Sequence, residues 1–205
     1  MEKIDLTQKK NVLEWYHKID FSDIREKYQD IGTKYCFEVL DEKIIAGYKI
    51  KLACFRHLRD LQRQGQKDFP YIYSLDELNK FFNFLKVVPN VDDLTKKLVP
   101  MDWQFFIFSQ IFGWFDLEGL PRFVNIILSM ARSQGKTMIA GIVLNYSFLI
   151  EIIGLSNQEY LISSINFDQT MKLYTYVKSM MERIIEVEPF KSLANETGVQ
   201  IQSRG

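Results

Sequence analysis

Residues 122–137 read Arg-Phe-Val-Asn-Ile-Ile-Leu-Ser-Met-Ala-Arg-Ser-Gln-Gly-Lys-Thr. The apolar run Phe123, Val124, Ile126, Ile127 and Leu128 predicts a short buried strand. Gly135-Lys136-Thr137 closes a turn behind it, and Met138 to Ile150 predicts a buried helix. Strand, turn and helix in that order gather backbone N–H groups and a helix N-terminus at one point, an arrangement suited to phosphate. Gly135 lets the backbone approach the anion. Lys136 can reach the β- and γ-phosphates, and the Thr137 hydroxyl can ligate Mg²⁺.

The usual Walker A pattern carries a further Gly five residues before Gly135, where this chain has Met130. Arg132, Ser133 and Gln134 occupy positions where that pattern accepts any residue. The competing reading is an ordinary strand–turn–helix corner whose Lys136 and Thr137 are solvated. The strand before the triplet and the apolar helix after it supply the context that the phosphate reading requires.

The composition is that of a chain with a sizeable core: 205 residues, 47% hydrophobic and 14% aromatic. Lys plus Arg equals Asp plus Glu at 26 each, so net charge alone does not point to nucleic acid. The charge is unevenly placed, with seven basic residues (Lys43, Lys49, Lys51, Arg56, Arg59, Arg63, Lys67) between Lys43 and Lys67 against only Asp60. Cys36 and Cys54 have no metal-ligand spacing, which fits a reducing compartment. The first residues lack the apolar core of a signal peptide, and Met138 to Ile150 is too short to span a membrane.

The N-terminal half reads as helical. Lys9 to Asp30 predicts one or two short helices ended by Gly32, and Thr33 to Leu40 fits a helical turn or a strand. In Gly47 to Arg63, Ile50, Cys54, Leu58 and Leu61 recur on one helical face, and Gly65 is placed to end the helix. Tyr71 and Tyr73 flank a short extended piece. Ser74 before Leu75-Asp76-Glu77 predicts an N-cap, for a helix that runs to Pro89-Asn90. Pro100 opens a further unit with an aromatic helix from Asp102 to Gly113. After the crossover helix, Leu155-Ser156-Asn157 predicts a loop and Tyr160 to Ile165 a second buried strand. Asp168 to Ile185 predicts a helix, and Val199 to Gln202 the start of a third strand. The order β–loop–α–β–α is that of a right-handed crossover with a parallel sheet.

Three features in a row carry a family resemblance: Trp103-Gln104 on the aromatic helix, Ala131 to Thr137 in the loop, and Ser163-Ser-Ile-Asn-Phe-Asp-Gln169 after the second strand. Together with Cys54 to Asp60 and Phe81 to Phe84, they resemble the large terminase subunit of tailed bacteriophages, over roughly Gly47 to Ile185. The resemblance implies the ATP-binding part of a DNA-packaging motor. Its fold would be α/β, a P-loop NTPase-type parallel sheet, incomplete here, in residues 91–205, preceded by a helical region in residues 1–90. Ser133, Gln134, Gly135, Lys136 and Thr137 would bind ATP and Mg²⁺, with Thr137 as metal ligand. Lys136 and Arg132 would stabilise charge during transfer, and Gln104 would meet the adenine edge. Partners implied are double-stranded DNA, a small terminase subunit, a portal and further copies of the chain, in the host cytoplasm and without a membrane. For Arg132 the alternative is a surface ion pair, for Trp103 core packing, and for Asp168 and Gln169 a helix cap.

The resemblance also shows what these residues lack. A phosphate-loop ATPase needs an apolar strand ending in Asp-Glu; Ile184 to Glu188 reads instead as a helix end stopped by Pro189. No carboxylate cluster of a nuclease domain follows. The expectation is therefore an N-terminal portion with little or no hydrolysis of its own. Two alternatives stand beside the motor reading: a non-catalytic module that docks DNA or a packaging subunit, and another P-loop ATPase such as a helicase-like enzyme. The basic face of Gly47 to Arg63, with Lys51, Arg59 and Arg63, is either a solvated helix face or a DNA or protein contact.

Overall fold

The computed structural model describes residues 4, 6–8, 11–153, 155 and 157–192. The predicted strand at Val199 to Gln202, and Ser156 of the predicted loop, lie outside them. The chain divides into two compact units, one of residues up to Leu78 with Pro100–Ile126, the other of Asn79–Val99 with the residues from Ile127 on.

The first unit is mainly helical. It holds α1 (Asn11–Lys18), α2 (Ser22–Lys27), α3 (Ile31–Leu40), α4 (Tyr48–Arg63), the strand β1 (Tyr71–Tyr73) and the start of α5 (Leu75–Leu85). The described part of that predicted helical stretch, Asn11 to Asp30, thus makes two helices, as its pattern allows. Thr33 to Leu40 is a helix, and Gly32 lies inside it rather than ending its predecessor. Asp30 is the reason, because its carboxylate accepts from Thr33 N–H at 3.0 Å and starts α3 one residue ahead of the glycine. Gly32 is where α3 meets the helix Asp102–Phe112: a Cβ there would stand 2.6 Å from Ser109 Oγ and 2.9 Å from Ser109 Cβ. α4 buries Cys54, Phe55, Leu58 and Leu61, and Gly65 at φ +72° turns the chain away after it.

The sequence from Pro100 adds α6 (Asp102–Phe112) and β4 (Trp114–Asp116) to this unit. β4 pairs antiparallel with β1, Tyr73 opposite Trp114. Ser74 caps α5 through Glu77 N–H, as its position predicts. The centre of the unit is His57, which is fully buried. Its Nδ1 lies 3.0 Å from Gln110 Nε2 and its Nε2 3.0 Å from Thr33 Oγ1. An amide nitrogen can only donate, so Nδ1 accepts and the ring proton sits on Nε2, facing Thr33. Edge-on contacts to Tyr73, Phe106 and Trp114 enclose the ring. A second buried polar contact joins Arg122 Nη1 to Asp60 Oδ2 at 2.8 Å, with side chains only 14% and 7% exposed. The Arg122 guanidinium lies within 5.1 Å of the ring centres of Phe69, Tyr71, Trp114 and Phe123.

The second unit contains the rest of α5, a hairpin of β2 (Pro89–Asn90) and β3 (Asp93–Lys97), α7 (Lys136–Tyr146) and α8 (Phe167–Ile184). α7 passes into a π-helical turn, Ser147–Glu151. Phe81 and Phe84 of α5 pack edge-on against Tyr146, and Phe84 against Phe190. α7 lies along α8, with Gly141 facing Met180. Asn145, fully buried, donates to Gly141 O at 2.9 Å and to Val177 O at 3.2 Å, so one amide ties the two helices together.

The parallel sheet is not found. Among the described residues the sheets are two antiparallel pairs, β1–β4 and β2–β3. The segments predicted as buried strands, Phe123 to Leu128 and Tyr160 to Ile165, carry no ladder. A strand exists only beside a neighbour that takes its N–H and C=O groups, and the apolar side chains that should be buried are not. Val124 and Ile127 are 85% and 94% exposed, Leu161 and Ile165 87% and 95%. The predicted helices on either side are present.

Two outcomes follow for stability. Burial, with the Arg56 and Arg122 guanidiniums nearby, pushes the His57 pKa down to about 3. Unfolded, the ring titrates near about 6.5. Between these values only the unfolded chain binds the proton. Stability is then complete above pH ~6.5 and falls towards pH ~3, by at most about 1.4 kcal/mol per pH unit. Denaturant unfolding of the wild type and of His57→Gln over that range should give a shallower acid slope in the variant; parallel profiles would mean that the imidazole is not held neutral. Arg122→Met should cost about 3–5 kcal/mol by leaving Asp60 buried without its cation, and adding Asp60→Leu should restore most of it. Equal melting temperatures of the wild type and Arg122→Met would contradict this.

Candidate functional site

The turn from Met130 to Thr137 is built by backbone conformation. Ser133 (φ +59°) and Gly135 (φ +76°) are both left-handed, with Gln134 between them. Alternation of this kind directs successive N–H groups to one side, forming an anion-binding concavity. Gly135 adopts it freely, whereas Ser133 does so at a cost of about 1–2 kcal/mol. Gly135 is also the N-cap of α7 and supplies no side-chain acceptor, and the first turn of α7 carries no acidic residue. The first N–H groups of α7, and the positive end of its dipole, are thus left without a side-chain cap or a carboxylate. These features fit a phosphate group.

The side chains of the loop follow from that backbone. Lys136, half-buried at the first position of α7, donates to the carbonyls of Met130 and, at 2.9 Å, Ala131. Its ammonium therefore lies across the mouth of the turn. Thr137 is half-buried on the next position, and its hydroxyl makes no hydrogen bond among the described residues. Arg132, Ser133 and Gln134 are exposed. Arg132 makes no ion pair among the described residues, so the surface-pair alternative is not what the structure shows. No group of three or more His, Cys, Asp or Glu side chains among the described residues could hold a metal ion. An open depression of about 650 Å³, lined by Leu94, Ser179, Glu182, Arg183 and Lys191, lies in the same unit and includes no residue of the turn.

The other residues singled out from the sequence take structural positions. Gln104, in the first unit, is 5% exposed, and its Oε1 accepts from Met101 N–H at 2.9 Å at the start of α6. Trp103 is half-buried and donates from Nε1 to Met101 Sδ. Beyond Tyr160 to Ile165, Asn166 caps α8 by accepting from Gln169 N–H at 2.9 Å, and Ser164 donates to the Gln169 side chain. Asp168 lies in the first turn of α8. At the far end of α8, Glu186 pairs with Arg183 and Glu188 accepts from Ser192, so this stretch is the helix end that Pro189 suggests. Two features of the turn have no sequence signal: the left-handed backbone at Ser133, and the use of the Met130 and Ala131 carbonyls by Lys136.

No helix among the described residues is long and apolar enough to cross a membrane. No curated protein and no solved structure matches the chain. A family model does, the terminase large subunit, ATPase domain, over residues 102–203. The match runs from the first residue of α6 through the phosphate-type turn, α7 and α8, and on it the chain belongs to the terminase large subunit ATPase family.

Proposed function

We propose that the chain binds ATP with Mg²⁺ at Met130–Thr137 and is the nucleotide-binding part of a motor that packages double-stranded DNA into a viral prohead. The observation that carries the reading is the turn itself. Left-handed Ser133 and Gly135 lead onto the uncapped start of α7, inside the segment matched by the family model. On this reading the N–H groups of Ser133, Gln134, Gly135 and Lys136 surround the phosphates. Lys136 exchanges its two carbonyl partners for phosphate oxygens, and Arg132, without an acidic partner, offsets charge that develops during transfer. Thr137 would give the metal one protein ligand, and Mg²⁺ commonly takes its remaining ligands from water and phosphate. When bound, the metal supplies charge neutralisation at the phosphates. A small terminase subunit, a portal and neighbouring copies of the chain are the partners that such a motor would need.

Lys136→Ala should lower Mg-ATP affinity at least about tenfold, the loss of one charge-assisted contact. Titration of a fluorescent ATP analogue into both proteins measures this, and equal binding would sink the assignment. Little steady-state phosphate release is expected from these residues alone, since Glu186 and Glu188 are engaged at the end of α8.

A further inference from the structure

The side of α4 that faces away from the core carries a line of cations. Lys49, Arg56, Arg59 and Arg63 fall at i, i+7, i+10 and i+14. At about 100° per residue they share an arc of roughly 80°, and at about 1.5 Å per residue the line runs roughly 21 Å. Exposed Lys67 follows in the turn after the helix. The helix face predicted from sequence needs one change: Lys51 is paired with Glu42 and stands apart from the line.

These charges are poorly neutralised within the chain. Lys49, Arg56 and Arg59 make no ion pair among the described residues. Arg63 pairs with Asp68, whose side chain is 73% exposed. Asp60, the acid within α4, is taken by Arg122. Asp20, whose carbonyl accepts from Gln62 beside Arg59, directs its carboxylate to Ser22. Burial first, and then the adjacent Arg63 guanidinium, push the Arg59 pKa down against the opposing effect of Asp60.

The groups are also held in place. Arg56 lies over the Phe123 ring at 5.8 Å and Arg63 over the Phe69 ring at 5.1 Å. A guanidinium braced on an aromatic face still presents its N–H fork outward, in the geometry that suits phosphate oxygens. In α4 the one large apolar side chain that is exposed is Ile50. A protein partner would be expected to find buried apolar or aromatic anchors there, whereas a regular row of cations matches a ladder of phosphates.

We propose that this face of α4 binds the phosphate backbone of nucleic acid, as a sequence-independent contact. It gives the DNA of the packaging reading a surface on the first unit, and it stands on α4 without reference to the nucleotide turn.

The test is fluorescence anisotropy of the full chain with a labelled duplex of about 20 base pairs, over a series of NaCl concentrations. Four neutralised phosphates predict a slope of log K against log salt of about −3 to −4. Arg56→Gln/Arg59→Gln/Arg63→Gln should lose more than about tenfold in affinity and flatten the slope to near −1, with its melting temperature unchanged. The triple Arg→Lys variant should keep most of the slope. Wild-type affinity in the Gln variant would overturn the proposal, as would poly-glutamate competing as well as duplex at equal charge, which would mark an acidic protein as the partner. Lys136→Ala separates the two readings. If it binds DNA as the wild type does, α4 acts alone; if DNA binding falls with it, the α4 assignment is wrong. A chain that binds duplex but no ATP overturns only the nucleotide reading.

Discussion

One uncharged imidazole determines how the helices of the first unit meet. His57 on α4 accepts from Gln110 on α6 and donates to Thr33 on α3, with both ring nitrogens used and no water required. A charged ring could not be placed there, since it would need two acceptors where the fold offers one donor. The neutral tautomer is therefore part of the architecture, and the rings of Tyr73, Phe106 and Trp114 close around it. The first unit is organised around a polar residue that satisfies three helices at once.

The helices were legible because their information is local. The period of Cys54, Leu58 and Leu61 states both that α4 is a helix and which face is buried, although Ile50, the first member of the pattern, is exposed, and Ser74 announces the start of α5 through its own hydroxyl. Apart from the extended piece at Tyr71–Tyr73, which is β1, the strands were not, because a strand is a relation between two segments. Phe123 to Leu128 and Tyr160 to Ile165 have the composition of buried strands, but nothing within six residues says what lies beside them. The hairpin of β2 and β3 carries no strand signal for the opposite reason: Asp93-Leu-Thr-Lys-Lys97 is polar, and its ladder rests on the partner strand rather than on an apolar face. His57 was hidden because a polar residue in a charged helix reads as surface. Its place next to Leu58, and three residues after Cys54, was the signal that it faces inward.

The turn proposed for the phosphates has the local shape that its sequence predicts, for the same reason as the helices. Gly135, Lys136 and Thr137 act through their own backbone and side chains, and the following helix starts where the glycine ends. What needed coordinates was the detail that gives the turn its shape. Met130, which replaces the glycine of the usual pattern, contributes a carbonyl to Lys136, and a carbonyl is the one thing any residue can supply. The residue that departs from the pattern thus takes part in the turn through its backbone.

The contact between Gly32 and Ser109 has a consequence for how this sequence can vary. α3 and α6 approach so closely that a methyl group on residue 32 would meet the Ser109 side chain well inside contact distance. Overfilled contacts of this kind cost about 1–3 kcal/mol, a large share of the roughly 5–15 kcal/mol that holds a domain folded. The two positions are therefore not free to drift separately. A lineage that acquires alanine at 32 has to shrink residue 109 in step or move α6 outward, and moving α6 pulls Gln110, the next residue, away from His57. A change of one methyl group at residue 32 is thus transmitted through Ser109 and its neighbour Gln110 to the hydrogen bond that holds the buried imidazole.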